Sequence, residues 1–65
     1  MHVWIVMYTI VFQNGKRWEK ERTTRADDIA EASRNANAIM QKARELPLVA
    51  RVELKAIIRE DRRRR

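Results

Sequence analysis

Few side chains in this 65-residue sequence could carry chemistry. His2 is the single histidine, and no neighbouring residue is suggested to orient it as a general base. Asp27 and Asp28 are adjacent, and adjacent helix positions point about 100° apart, so the two carboxylates would not chelate one metal ion. Ser33 falls within a predicted helix, without a base or a strained turn. The sequence therefore predicts no catalytic residue, no metal site and no cofactor.

Glycine- and cysteine-based sites are also missing from the sequence. The chain has one glycine and no cysteine, so it offers no Gly-rich phosphate loop, disulfide or thiolate metal site. A single small domain is expected over 1–61, with a disordered arginine tail over 62–65. A domain of this size buries only about 60% of the surface of its unfolded chain, so further burial through association would help it.

Positive charge is concentrated at one end of the sequence. The net charge is +6, and the terminal run Arg62, Arg63, Arg64 and Arg65 supplies four of the fifteen basic residues. The rest of the chain, with eleven basic and nine acidic residues, is nearly balanced. Arginines against phosphates release counterions, which makes nucleic-acid binding one hypothesis and a solvated tail without a role its alternative. The basic residues considered for such binding are Lys16, Arg17, Arg51, Lys55, Arg62, Arg63, Arg64 and Arg65.

An apolar segment near the start predicts the first strand. Residues 3–12 read VWIVMYTIVF, in which only Thr9 is polar. A strand with one face in water normally alternates, and this one does not. The second strand is predicted over 17–24, and its charged centre favours an edge position that resists pairing with other sheets.

The connection between these strands contains Asn14 and Gly15, which tolerate the positive φ of a tight hairpin turn. Two registers remain open. A two-residue turn places Val11 opposite Trp18, whereas a three-residue loop with a glycine bulge places Ile10 opposite Trp18. The face of the first strand that meets the rest of the core therefore stays undecided.

A helix follows the hairpin. Thr24 with Asp27 three residues later resembles a capping box, which predicts the start of the helix. Pro47 disfavours a helical residue before it, so the helix should end near Glu45. Apolar residues recur at helical spacing and predict one buried stripe. That stripe consists of Ile29, Ala32, Ala36, Ile39, Met40, Ala43 and Leu46.

The last strand is predicted over 48–58, where apolar and polar residues alternate. The face with Val52 and Leu54 is apolar, and the face with Arg51, Glu53 and Lys55 is polar. The element order ββαβ with a right-handed crossover predicts an α+β domain. It has a three-stranded antiparallel sheet of order 2-1-3, with one helix packed on one face.

One apolar row of the first strand would then face away from the helix. The even-numbered row is the better partner surface because it carries three aromatic side chains. This predicts a protein interface and a homodimer that buries two open faces together. The alternative is shielding by the long side chains of Arg51 and Lys55. The predicted interface consists of Trp4, Val6, Tyr8, Ile10, Phe12 and Trp18.

These patterns favour a non-catalytic binding protein that docks on a protein or nucleoprotein partner, with nucleic-acid binding as the alternative. No signal peptide or membrane-length segment is recognisable, so a cytoplasmic setting without membrane or small-molecule partners is expected. In size and lack of catalytic groups the chain resembles the small inhibitors encoded by phages and mobile elements, including anti-CRISPR proteins. Met7 lies inside the first strand and could itself be an initiator, which would remove Trp4.

Overall fold

The computed structural model describes residues 1–63, with side chains as far as Asp61. Three strands form one antiparallel sheet of order β2-β1-β3, so the predicted α+β fold and strand order are confirmed. The most apolar strand lies at the centre, where both of its edges are paired. The elements are β1 (His2–Phe12), β2 (Arg17–Ala26), α1 (Ile29–Arg44), β3 (Val49–Arg59) and α2 (Glu60–Arg63).

The hairpin between β1 and β2 adopts the three-residue loop. Ile10 lies opposite Trp18, which confirms the second of the two registers. The Gly15 N–H donates to the Phe12 carbonyl over 2.9 Å, and Gly15 has a φ of 90°. Glycine adopts this left-handed conformation without a steric cost, which is what the bulge requires. The Asn14 Oδ1 accepts from the Lys16 N–H over 3.0 Å and stabilises the loop.

The N-cap of helix α1 lies four residues after the predicted cap. Thr24 belongs to β2, and the N-cap is Asp28, whose Oδ1 accepts from the Glu31 N–H over 2.9 Å. The Glu31 Oε1 in turn accepts from the Asp27 N–H over 2.8 Å. The first bond satisfies a helix N–H group that has no partner within the helix, and the second ties the residue before the cap to the first turn. The C-cap is Glu45, so the predicted end of the helix is confirmed.

Two irregularities in β3 break the predicted alternation. The pairing with β1 shifts between Met7 and Tyr8 and again between Val11 and Phe12. Each shift inserts an extra residue into β3 and exchanges the faces beyond it. Val49 and Ile57, predicted on the polar face, consequently pack against the core under the helix. Leu54, predicted to be buried, is 45% exposed.

The helix packs on the sheet through small side chains. Ala32, Ala36, Met40 and Ala43 are buried, and Ile39 is partly buried. Alanine lets a helix lie close to a sheet, so the sheet supplies most of the bulk of the core. The predicted stripe is wrong at its two ends, because Ile29 and Leu46 are exposed.

The chain continues from β3 directly into the short helix α2. Arg59 holds Asp61 by two hydrogen bonds of 2.9 Å, from Nε and from one terminal nitrogen. This pairing raises the pKa of Arg59. Arg64 and Arg65 lie outside the described residues, and so do the side chains of Arg62 and Arg63. The predicted role of the tail therefore stays a prediction.

Candidate binding surface

The even-numbered row of β1 lies under helix α1. Trp4, Val6, Tyr8 and Ile10 are each at most 8% exposed, and they pack against Ala36 and its neighbours on the helix or against the end of β2. The prediction that these four form an exposed interface is wrong. The physical reason is the hairpin register, which puts the bulky row on the face that the small helix residues cover.

Two of the predicted interface residues do reach the surface. Trp18 is 51% exposed, and Phe12 is half-buried beside it. Their rings meet edge to face, with centroids 5.0 Å apart. Lys20 Nζ lies 4.9 Å from the centroid of the Trp18 ring, a cation–π contact. The indole is therefore held from two sides and still presents about half of its surface to solvent.

Two leucines from the connection between α1 and β3 lie beside these rings: Leu48 lines a pocket with Phe12 and Trp18, and Leu46 lines a groove with Trp18. Leu48 is 69% exposed and Leu46 is 45% exposed. The sequence analysis did not predict these exposed leucines, because it placed both of them in buried rows. We call Phe12, Trp18, Leu46 and Leu48 the hairpin-end surface. An open pocket of about 560 Å³ lies among three of these side chains, with Gln13, Asn14 and Lys16 completing its lining.

The backbone fixes the position of Leu48. Its carbonyl accepts from the Gln13 N–H over 2.8 Å, which ties the hairpin loop to the start of β3. Leu48 has a φ of 67°, which lies in the left-handed region. A non-glycine residue that adopts this conformation destabilises the fold by about 1–2 kcal/mol. An exposed leucine gains no burial that would offset this strain.

A groove of about 330 Å³ runs between α1 and β2 and shares Trp18 with the hairpin-end surface. Its lining is cationic where it meets solvent, with Lys20 and Arg22 on β2 and Lys42 on α1. No carboxylate lines the groove in the described part of the chain. Tyr8 and Ile10 form part of its apolar lining. We call this the α1–β2 groove.

The opposite face of the sheet is largely covered by its own charged side chains. Ile5, Thr9 and Val11 are buried there, on the face that α1 does not cover. Thr9 Oγ1 donates to Glu19 over 3.0 Å, so the polar residue in the apolar strand is satisfied. Val3 is half-buried. This arrangement fits the shielding alternative and reduces the apolar area offered to a partner.

Glu53 organises the charges of that face. Its carboxylate accepts from Arg51 Nε over 2.7 Å, and it lies 3.1 Å from Arg17 and 3.3 Å from Lys55 Nζ. Hydrogen bonds from Arg51, Lys55 and Arg17 lower the pKa of Glu53 to about 2. Outside the arginine tail, four basic residues were proposed for nucleic-acid binding, and three of them thus surround one carboxylate. The fourth, Lys16, lines the pocket of the hairpin-end surface instead.

The side chains considered for catalysis or metal binding lie at the start of β1, at the start of α1 and within α1. His2 is exposed at the start of β1, and Asp28 serves as the helix cap. Asp27 lies 3.6 Å from the terminal amine of Met1. Ser33 is half-buried in the middle of α1. Across the described residues no cluster of three or more His, Cys, Asp or Glu side chains could hold a metal ion.

No protein-family model matches the chain, and neither a curated protein nor a solved structure shows significant similarity to it. Within residues 1–63, no helix is long and apolar enough to cross a membrane.

Proposed function

We propose that this chain is a non-catalytic binding protein, an adaptor or inhibitor, that docks on a protein partner through the hairpin-end surface. The observation that carries the proposal is the exposure of two leucines beside Trp18: Leu48 lines the hairpin-end pocket with the indole, and Leu46 lines the α1–β2 groove with it. All three side chains are between 45% and 69% exposed. Clustered exposed apolar side chains mark interaction sites, and tryptophan is enriched where binding energy concentrates.

The backbone of Leu48 supports the same proposal. A left-handed leucine is destabilising, and exposure leaves it without a packing role in the monomer. Residues held in a strained backbone conformation are concentrated at functional sites. A partner that covers Leu48 would give the strained residue the burial that it lacks in the monomer.

The predicted homodimer cannot form through the even-numbered row of β1. That row is occupied by the helix, and the Glu53 cluster lies on the other face, beside Thr9 and Val11. A dimer through the open sheet face stays a prediction, as does a cytoplasmic setting. Sedimentation at high micromolar concentration tests the dimer, and a single monomeric species would remove it.

Affinity capture from an extract of the source cells tests the proposed surface. The unmodified chain, Trp18→Ser and Leu48→Asn would be compared with Leu54→Asn, a control that removes an exposed leucine from β3, outside the hairpin-end surface. We expect Trp18→Ser and Leu48→Asn to lose a bound protein that the unmodified chain and Leu54→Asn retain. Nuclease treatment should make no difference to this capture. Equal capture by all variants would contradict the proposal.

Nucleic-acid binding is the second candidate, supported by the net charge of +6 and the terminal arginines. It is weakened in the body of the chain, where Arg17, Arg51 and Lys55 already pair with Glu53. If the tail grips nucleic acid, deletion of Arg62 to Arg65 should flatten the slope of log affinity against log salt by up to about 3 to 4 units. An unchanged slope would remove this candidate.

A further inference from the structure

We propose that the outer edge of β2 accepts an extended acidic segment of the partner protein as an added strand, with its carboxylates reaching the cations of the α1–β2 groove. This inference rests on the proposed function, because the groove and the hairpin-end surface share Trp18. It names the chemistry of the partner, whereas the proposed function names only the docking surface.

The backbone of β2 is open on one side. β2 pairs with β1 alone, so in the described chain its outer edge belongs to no strand pair. The Lys16 carbonyl accepts from the Phe12 N–H, so the backbone of this even-numbered residue points inward, toward β1. The Arg25 carbonyl accepts from Asn35 Nδ2 of the helix, so the backbone of this odd-numbered residue points outward. Since the direction of the backbone groups alternates along an antiparallel strand, the odd-numbered residues of β2 point outward.

The helix closes only one end of this edge. Asn35 Nδ2 donates to the Arg25 carbonyl over 3.1 Å and lies 3.0 Å from Thr24 Oγ1. The stretch from Arg17 to Thr23 lies beyond that contact, beside the hairpin end. It is exposed throughout and is long enough to pair with several residues of an added strand.

The charges beside the open edge select for acidic side chains. Lys20 and Arg22 project from β2 toward the helix side, and Lys42 faces them from α1. An added strand would place every second side chain on this face, within reach of the three cations. Individual exposed ion pairs contribute little, so we expect these cations to decide which strand binds more than how tightly it binds.

The same charges disfavour the other occupants. A second copy paired through β2 would bring its own Lys20 and Arg22 beside the same cations of the first copy on the helix side of the sheet, and like charges on neighbouring strands are destabilising. A stacked nucleobase would need a free face of Trp18, and Lys20 already lies over that ring. An acidic strand leaves the contact between lysine and indole in place.

Titration with a synthetic peptide tests the proposal. The probe is an alternating Glu-Val peptide of about ten residues, which matches the 10 residues of β2. Binding would be followed by fluorescence anisotropy and by amide hydrogen exchange. We expect binding to slow exchange at the outward amides of Arg17, Glu19 and Thr23. The double variant Lys20→Gln with Lys42→Gln should weaken binding about tenfold, the equivalent of two favourable surface ion pairs.

Four controls make the outcome decisive. Arg34→Gln removes an exposed cation outside the groove and should leave peptide affinity unchanged. A Lys-Val peptide should not bind, and N-methylation of alternate amides in the Glu-Val peptide should abolish binding. Equal binding of the methylated peptide would overturn strand addition. Tighter, competing binding of a single-stranded oligonucleotide would assign the groove to nucleic acid instead.

The proposed function can survive the failure of this inference. Suppose that the Lys20→Gln, Lys42→Gln variant still captures the cellular partner and the peptide shows no exchange protection on β2. The inference then falls, while loss of capture by Trp18→Ser keeps the hairpin-end surface. If both variants still captured the partner, the proposed function and the inference about β2 would both be contradicted.

Discussion

The indole Nε1 of Trp4 donates a hydrogen bond to the carbonyl of Ala26 over 3.0 Å, in the buried interior of the domain. The bond joins the start of β1 to the end of β2, beside Ala32 of the helix. A buried tryptophan normally finds a partner for its N–H group, and here that partner is the last residue of β2. The contact anchors the even-numbered row of β1 under the helix.

Trp4→Phe should destabilise the domain by about 1–3 kcal/mol, because it leaves the Ala26 carbonyl without this donor and removes buried ring area. Urea unfolding followed by circular dichroism would measure the change. Trp18→Phe is the matched control, since it makes the same replacement at a side chain that is 51% exposed. Equal stability of the two variants would contradict the structural role of Trp4. A chain that starts at Met7 lacks Trp4, Ile5 and Val6, and we expect it not to fold stably.

Ala36→Leu should cost about 1–3 kcal/mol, because Ala36 is fully buried between the helix and the sheet and a larger side chain would force them apart. Ala38→Leu adds the same atoms on the exposed side of α1 and should change stability by less than about 0.5 kcal/mol. Thermal unfolding of the two variants would check the difference. A tolerated leucine at Ala36 would mean that the helix does not pack closely on β1.

Glu53→Gln should destabilise the domain at neutral pH, because it leaves Arg17, Arg51 and Lys55 together without a carboxylate. The folded state lowers the pKa of Glu53 from 4.5 to about 2, so its stabilising effect is complete above the ordinary value. That effect is lost as the pH falls from 4.5 toward about 2. Unfolding free energies of the native chain and the variant should therefore converge at low pH.

Glu45→Gln changes an exposed carboxylate outside the cluster and serves as the control for this pH series. Added salt should shrink the neutral-pH difference for Glu53→Gln, because exposed ion pairs are screened. A difference between the native chain and Glu53→Gln that stayed constant with pH would show that the lost interaction is not ionic.

Leu48→Gly should raise stability or leave it unchanged, because glycine adopts a φ of 67° without the cost of about 1–2 kcal/mol, although it adds entropy to the unfolded chain. The same variant should weaken partner capture by removing an exposed apolar side chain. Opposite signs for stability and binding would identify Leu48 as a residue kept for function. Marked destabilisation by glycine would show instead that the side chain supports the fold.

Strand order and most element limits were predictable from the sequence because they depend on strong local patterns. The apolar run of β1 requires two paired edges, and Asn14-Gly15 defines the hairpin. The predicted start of the helix was wrong, although the sequence contains the signal for the correct start. Asp28 and Glu31 have the capping-box spacing, and Thr24 and Asp27, four residues earlier, resemble it nearly as well.

The binding surface could not be derived in the same way. One residue of hairpin register decides whether Trp4 or Ile5 faces the helix, and the sequence fits both registers. The two bulges in β3 depend on pairing with β1 and leave no mark in the local alternation. Leu48 was assigned to a strand, where its left-handed backbone and its exposure beside Trp18 could not be foreseen.

The central position of β1 has a consequence for biosynthesis. β1 pairs along one edge with β3, and thirty-six residues separate the end of one strand from the start of the other. At ordinary rates of translation these residues take roughly 2 to 7 seconds to add. Throughout that interval the nascent chain carries an apolar strand with an open edge. The yield of folded protein should therefore depend on chaperones that bind near the ribosome as well as on final stability.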